Sequence, residues 1–192
     1  MKIGVLALQG DFIEHITMLR RIGVKGVEVR LAKQLEEING LIIPGGESTT
    51  IGKLAVDFGI MKPLREFGRK KAIWGTCAGA IFLSKDARRK QPLLGLMDII
   101  VERNAFGRQV DSFEVGLNVP VLEKIDPENP PYHAVFIRAP LIESVYGDAQ
   151  ILSQLDDGRI VAAQQGRLLA TSFHPELTND HRFHRYFIEL AK

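Results

Sequence analysis

Short apolar strands alternate with amphipathic helices through the first half of the chain, and this alternation is the feature that most constrains the fold. Four segments are typical of strands: the apolar run 2–8, which indicates a buried strand, and the segments 26–31, 40–46 and 71–74. The segments 12–22, 48–56 and 78–84 have helical patterns, the first beginning after a capping residue, Asp11. Alternating strands and helices predict an α/β fold with a doubly wound, mostly parallel, flavodoxin-like sheet.

The second half changes character and predicts added β-hairpins. Residues 96–122 and 149–173 show alternating apolar runs, and Asp157-Gly158 and Gln165-Gly166 are turn signals within the second segment. Asp180 is positioned to cap a last helix over 181–191. At 192 residues with 45% apolar content, and with no linker or repeat, the chain is expected to form one domain over 1–192.

Charge and cysteine content exclude several classes of protein. The net charge of +2 is small, and the basic clusters 69–71 and 88–90 are short, so nucleic acid is not an expected partner. No apolar run approaches the ~20 residues of a membrane span, so no membrane partner is expected either. The single cysteine cannot form an intramolecular disulfide, which favours a reducing compartment and predicts a cytoplasmic protein.

That single cysteine, Cys77, lies in the sequence GTCAG between a predicted strand and a predicted helix. A lone cysteine in such a chain is most often a small buried apolar residue. The Gly-x-Cys-x-Gly spacing favours a different interpretation, a nucleophile elbow, in which crowded backbone requires small flanking residues and the nucleophile occupies the apex. The elbow predicts a reactive thiol, and a reactive thiol needs a base.

A histidine and a glutamate near the end of the chain supply the expected partners. His174 follows the predicted strand that ends in ATSF, and Glu176 lies two residues further on. If this dipeptide is extended, both side chains point to the same side and the carboxylate orients the imidazole. Cys77, His174 and Glu176 are therefore predicted to form a nucleophile–base–orienter triad.

The other histidines offer a competing metal site. His181 and His184 on the last helix could join His174 and Glu176 as ligands. No second cysteine and no HExxH pattern supports zinc, so no metal is expected. His15, within a predicted helix, has no informative neighbour in the sequence.

Several motifs together resemble a known family. GTCAGA and SFHPE are similar to motifs of triad-type glutamine amidotransferases. LALQGDFIEH, LIIPGGESTT, VERNAFGRQVDSFE, VFIRAP and SFHPELTNDHR narrow the resemblance to the glutaminase subunits of pyridoxal 5′-phosphate synthase. The resemblance implies hydrolysis of L-glutamine through a cysteine thioester, without a cofactor. It also implies a synthase partner, assembled as a large oligomeric ring, that receives the ammonia for pyridoxal 5′-phosphate (vitamin B6) biosynthesis.

The resemblance also assigns residues. Backbone N–H groups of Ala78 and Gly46 would form the oxyanion hole. The glutamine contacts carry over to two segments and one further arginine: Gly46, Glu47 and Ser48; Ile137 and Arg138; and Arg103. A carboxylate suits the α-ammonium of glutamine, and an arginine suits its α-carboxylate, although surface ion pairing is the simpler interpretation of each arginine.

Two other classes of function are compatible with parts of this pattern. A non-catalytic binding module on a flavodoxin-like sheet would not need Cys77, His174 and Glu176 together. A redox or chaperone-like protein with a reactive elbow cysteine would not need the charged residues around it. Labelling of Cys77 by a glutamine-mimicking electrophile, with protection by glutamine, separates these classes.

Overall fold

The computed structural model describes residues 1–103 and 112–192. The strands are β1 (Lys2–Leu6), β2 (Lys25–Val29), β3 (Gly40–Ile43), β4 (Ala72–Thr76), β5 (Ser84–Asp86), β6 (Met97–Glu102), β7 (Ser112–Leu117), β8 (Tyr132–Ile137), β9 (Leu141–Val145), β10 (Gln150–Gln154), β11 (Ile160–Gln165) and β12 (Leu168–Thr171). The α-helices are α1 (Phe12–Arg21), α2 (Ser48–Asp57), α3 (Met61–Gly68), α4 (Ala78–Leu83) and α5 (Arg182–Leu190). Short 3₁₀ helices span Ala32–Glu37, Pro120–Lys124 and Pro175–Leu177. None of the helices in these described ranges reaches the length and hydrophobicity that a membrane span requires.

A large sheet organises the molecule, with strand order β2-β1-β3-β4-β12-β11-β9-β6-β5 and β10 added beside β11. The five strands from β2 to β12 run parallel to one another. The carboxyl ends of β1, β3, β4 and β12 therefore lie at one edge of the sheet, which is where sites form in open α/β folds.

Helices cover both faces of β1, β3, β4 and β12, which explains why these strands are apolar along their length, whereas the edge strand β2 is only partly buried. Along β3 and β4, successive residues face opposite sides. Ile43 and Ile73 belong to the core that includes residues of α2, α3 and α4, whereas Ile42 and Trp74 belong to the core with α1 and α5. Two apolar layers thus fix β4, and with it the residues that follow Thr76.

The two hairpin predictions have different outcomes. Residues 149–173 form the expected antiparallel pairs, β10 with β11 and β11 with β12. The prediction of a hairpin over 96–122 is wrong. β6 pairs with β9 and β5 in the large sheet, whereas β7 pairs with β8 in a separate two-stranded sheet. Alternation within each strand identifies a half-buried strand but does not identify its partner. Residues 104–111 of that segment lie outside the described residues.

Candidate active site

Cys77 occupies the predicted elbow between β4 and α4. Its backbone has φ of 48°, a left-handed conformation that is costly for a residue with a side chain. The flanking glycines are required by close backbone contacts, since a Cβ atom would lie 2.4 Å from the carbonyl oxygen of Gly79 if placed on Gly75. A Cβ atom placed on Gly79 would lie 2.0 Å from the carbonyl oxygen of Ile43. The elbow is therefore a packed, strained turn that fixes the direction of the thiol.

This packing makes a prediction about Gly79. Replacing Gly79 with alanine must move β3 away from α4, and we expect the free energy of unfolding to fall by ~1–3 kcal/mol or more. Urea unfolding measures the change. Gly116→Ala is the matched control, because its Cβ would meet only a side-chain atom of Pro131 at 3.0 Å. Equal stability losses for the two variants would contradict the packing argument.

His174 and Glu176 form a buried pair beside the elbow. Nδ1 of His174 lies 2.7 Å from Oε1 of Glu176, and the backbone N–H of His174 donates to the carbonyl of Val135 at 2.8 Å. Burial alone would lower the pKa of His174, but its interactions with the side chains of Cys77 and Glu176 outweigh burial and raise that pKa to about 10. Burial raises the pKa of Glu176, and the hydrogen bond with His174 opposes this effect.

The local backbone differs from the sequence-based expectation for this pair. The strand β12 ends at Thr171, and Glu176 lies within the 3₁₀ helix Pro175–Leu177, so the dipeptide is not extended. Pro175 favours this start because the first helical position does not use its missing N–H. The compact turn still brings the carboxylate onto the imidazole, and Glu176 lies behind His174, away from the cavity.

A cavity of about 360 Å³ opens in front of Cys77, within the size range of small-molecule pockets. Nine residues assigned from the sequence line it: Gly46, Glu47, Ser48, Cys77, Ala78, Arg103, Ile137, Arg138 and His174. Four lining residues were not assigned: Gln9, Asp11, Ile81 and Pro140. The signal for Gln9 was available, because the sequence Gln9-Gly10 ends a strand at the same sheet edge.

The loop after β3 is held against the loop after β1. The side-chain Oε1 of Gln9 accepts the backbone N–H of Glu47 at 2.7 Å, and the carbonyl of Gly45 accepts the N–H of Asp11 at 3.1 Å. Gly46 has φ of 149°, a conformation that favours glycine. Asp11 occupies the N-cap position of α1 without a side-chain capping bond, and one of its oxygens lies 3.8 Å from Nδ1 of His174.

Glu47 carries a well-stabilised negative charge at the rim of the cavity. Its carboxylate caps α2 by accepting the backbone N–H groups of Thr49 and Thr50 at 3.3 and 2.7 Å, and both hydroxyls also donate to it. Burial alone would raise the pKa of Glu47, but these hydrogen bonds outweigh it and lower the pKa to about 2. Arg103 donates to the same carboxylate at 2.7 Å, so opposite charges stand side by side in the cavity wall.

The residues that could hold a metal in the structure differ from the four candidate ligands named in the sequence analysis. In the described part of the chain, the side chains that bring three ligand atoms within 4.8 Å of one another are those of Asp11, His174 and Glu176. His184 instead packs against Trp74 and lies 3.1 Å from His15. Nδ1 of His174 and Oε1 of Glu176 already pair with one another at 2.7 Å, so their geometry is that of a hydrogen-bonded pair.

Comparisons with known proteins agree with this geometry. The sequence profile of the SNO glutamine amidotransferase family matches residues 5–192. The chain belongs to this family. Among family relatives, one from Herpetosiphon aurantiacus is 58% identical over 99% of this chain and 100% of its own length. Another, from Moorella thermoacetica, is 56% identical over 99% of each chain; both are named "Pyridoxal 5'-phosphate synthase subunit PdxT".

Solved structures support the family's fold. One described as a glutamine amidotransferase is 50% identical, covers 98% of each chain and superposes with a TM-score of 0.91. A glutamine amidotransferase from Thermotoga maritima matches 98% of this chain and 81% of its own; at 13% identity and a TM-score of 0.62, it shares the fold alone. The predicted α/β fold with a largely parallel sheet and added hairpins is therefore confirmed.

Proposed function

We propose that this protein hydrolyses L-glutamine to L-glutamate and ammonia through a thioester on Cys77. The observation that carries the proposal is the strained elbow, which holds Cys77 beside the buried His174–Glu176 pair at a cavity with both charges on its wall. A binding module has no use for the strained thiol. A redox protein has no use for an oriented imidazole and a charged rim.

The first half-reaction forms the thioester. The Sγ of Cys77 attacks the side-chain amide carbon of glutamine, and His174 holds the thiol proton. Negative charge develops on the amide oxygen, where the backbone N–H groups of Ala78 and Gly46 are proposed to stabilise it. The tetrahedral intermediate then collapses: the carbon–nitrogen bond breaks, His174 gives its proton to the nitrogen, and ammonia leaves.

The second half-reaction regenerates the thiol. His174, now neutral, removes a proton from water, and the resulting hydroxide attacks the thioester carbonyl. The carbon–sulfur bond breaks, glutamate leaves, and the thiol recovers its proton. Glu176 keeps the same relation to Nδ1 of His174 throughout, so the imidazole transfers protons through Nε2 in both directions.

The charged rim provides recognition of a zwitterionic amino acid. Glu47 stays ionised across the physiological range because its pKa is held low, and it suits the α-ammonium group of glutamine. Arg103 and Arg138, two guanidinium groups among the described residues of the cavity wall, suit the α-carboxylate. Before glutamine binds, the ion pair between Glu47 and Arg103 holds these two charged groups next to each other in the cavity wall.

The names of the relatives support a partner. Because family members with 56–58% identity over full length are named as subunits of pyridoxal 5′-phosphate synthase, we propose that ammonia from this chain is delivered to a separate synthase subunit. That subunit is proposed to form a large oligomeric ring, as the sequence resemblance implies. Co-purification of the two subunits, followed by glutamine-dependent formation of pyridoxal 5′-phosphate, tests the partnership.

A direct test of the chemistry uses covalent labelling. A chloroketone analogue of glutamine should add one equivalent to Cys77, seen as a single mass increase in the intact protein. L-glutamine should slow the labelling, and D-glutamine should not. If L-glutamine does not change the rate of labelling, glutamine is not the substrate, although Cys77 is still shown to be reactive.

Arg103 supplies a prediction about binding. Replacing Arg103 with lysine keeps the charge but removes the planar fork, so we expect KM for glutamine to rise about ten-fold with kcat nearly unchanged. Steady-state ammonia release measures both constants. Arg30→Lys is the matched control, because Arg30 forms an exposed ion pair with Glu28. A fall in kcat at constant KM would contradict a role in binding.

A further inference from the structure

Two buried histidines lie directly behind Glu176, and the reaction described above uses neither of them. His15 on α1 and His184 on α5 are both fully buried. Nε2 of His15 lies 3.3 Å from Oε2 of Glu176 and 3.2 Å from the hydroxyl of Thr76, the residue before the nucleophile. On the other side of the ring, Nδ1 of His15 lies 3.1 Å from Nε2 of His184.

Both imidazoles are neutral. Burial, followed by the influence of His184, holds the pKa of His15 well below its ordinary value. Burial likewise lowers the pKa of His184 to about 3. Each ring therefore carries one N–H donor and one bare nitrogen, and the neighbours decide which nitrogen is which.

The contacts fix a single direction of donation. Glu176 accepts the Nδ1–H of His174 at Oε1, and as a carboxylate its second oxygen, Oε2, can only accept. A bare nitrogen facing Oε2 at 3.3 Å would bring two lone pairs together, so this contact favours a proton on Nε2 of His15, a proton that the hydroxyl of Thr76 at 3.2 Å can also accept. Nδ1 of His15 is then the acceptor, and Nε2 of His184 is its donor.

Two further observations agree with this direction. Among the described residues, Nδ1 of His184 has no hydrogen-bond partner, which suits a bare nitrogen better than a buried N–H. Oε2 of Glu176 is also buried and has no hydrogen-bond partner in the described part of the chain. The ring nitrogen of His15 lies 3.3 Å from this oxygen, and catalytic hydrogen bonds that are long in a substrate-free enzyme often shorten when substrate binds.

We propose that His15 is a positioning residue for glutamine hydrolysis, donating Nε2–H to Oε2 of Glu176 while its Nδ1 accepts from Nε2 of His184. The inference rests on the proposed function, because it acts through the base of that reaction. It extends the triad inward, from Cys77 through His174 and Glu176 to His15 on α1. Removing His15 would leave the buried carboxylate with one side-chain donor instead of two.

The consequence is a shift in pH dependence. A carboxylate that loses a donor binds its proton more readily, so Glu176 would become neutral at a higher pH and would stop supporting the imidazolium of His174. The titratable groups that face this carboxylate or its neighbours come from several elements: His174, His15, Asp11, Cys77, the phenol of Tyr132 and, beyond His15, His184. Of these, the substitutions below change His15 alone.

The test compares His15→Leu, His15→Gln and His15→Asn. Because Cys77 is the single cysteine of the chain, iodoacetamide alkylation followed across pH reports its thiolate without needing turnover. The amide of Gln reaches the position of Nε2, whereas that of Asn reaches only the position of Nδ1. On the acid side of the pH profile, the alkylation rate falls as the thiolate is lost. We expect this acid limb to move up by about one pH unit for His15→Leu and His15→Asn, and much less for His15→Gln.

Turnover should follow the same order. We expect kcat for ammonia release to fall about ten- to a hundred-fold for Leu and Asn, the rate equivalent of one hydrogen bond to a charged group, with Gln closer to wild type. Ile42→Val, a change in the same apolar layer, controls for a general loss of core stability and should leave the acid limb in place.

The outcomes separate the two proposals. Equal behaviour of Gln and Asn, or an unmoved acid limb in both, would overturn the role of His15 even if Leu does not fold. A Cys77→Ala protein that still releases ammonia in the same assay would overturn the proposed glutaminase chemistry. In that case the alkylation profile would still report whether His15 supports the His174–Glu176 pair.

Discussion

Replacing Cys77 with alanine is expected to abolish ammonia release from glutamine, with a loss of at least ~10⁴-fold in kcat. The reason is that Sγ forms the covalent bond to the substrate, and no other described side chain at the cavity offers a thiol. Cys77→Ser is expected to be equally inactive, because the hydroxyl is a far weaker nucleophile than the thiolate with the same base.

The fold should survive both changes. Cys77 is 7% exposed and small, so either replacement changes little packed volume. Urea unfolding and circular dichroism of each variant provide the control, and glutamine binding measured by calorimetry should persist. A folded alanine variant with the wild-type turnover would exclude a thiol mechanism.

His174→Ala is expected to lower kcat by about 10⁶-fold, more than Glu176→Gln, which should cost about 10⁴-fold. His174 moves the proton in both half-reactions, whereas Glu176 orients the ring and supports its charge across 2.7 Å. The amide of Gln keeps the size of the side chain but removes the charge that, together with Cys77, raises the pKa of His174.

The comparison needs saturating glutamine and folded variants. The pH profile gives a second readout, because loss of the Glu176 charge should lower the pKa of His174 and change the pH range in which the imidazole can act as base. Equal losses at the two positions, or a larger loss at Glu176, would reverse the assigned roles. Exposed His133→Ala, which removes a surface contact with Glu114, is the matched control and should leave kcat unchanged.

The sequence alone determined the parts of this protein that depend on local pattern. Apolar runs separated by helical segments predicted the parallel strands, since buried strands with helices on both faces must be apolar on both sides. The spacing Gly-x-Cys-x-Gly predicted the elbow because only glycine tolerates the contacts that Gly75 and Gly79 make. Motif resemblance assigned most residues of the cavity wall, but their roles remain predictions.

Only the tertiary structure decided what depends on contacts between distant segments. β6 and β7 have suitable patterns for a hairpin, yet they belong to different sheets because strand pairing is set by the whole fold. Glu47 and Arg103, 56 positions apart, become an ion pair at the cavity. His15 had no informative neighbour in the sequence, and only the packing of α1 and α5 beneath the elbow places it against Glu176 and His184. Helical periodicity indicates that a side chain is buried, but its chemical neighbours come from other elements of the chain.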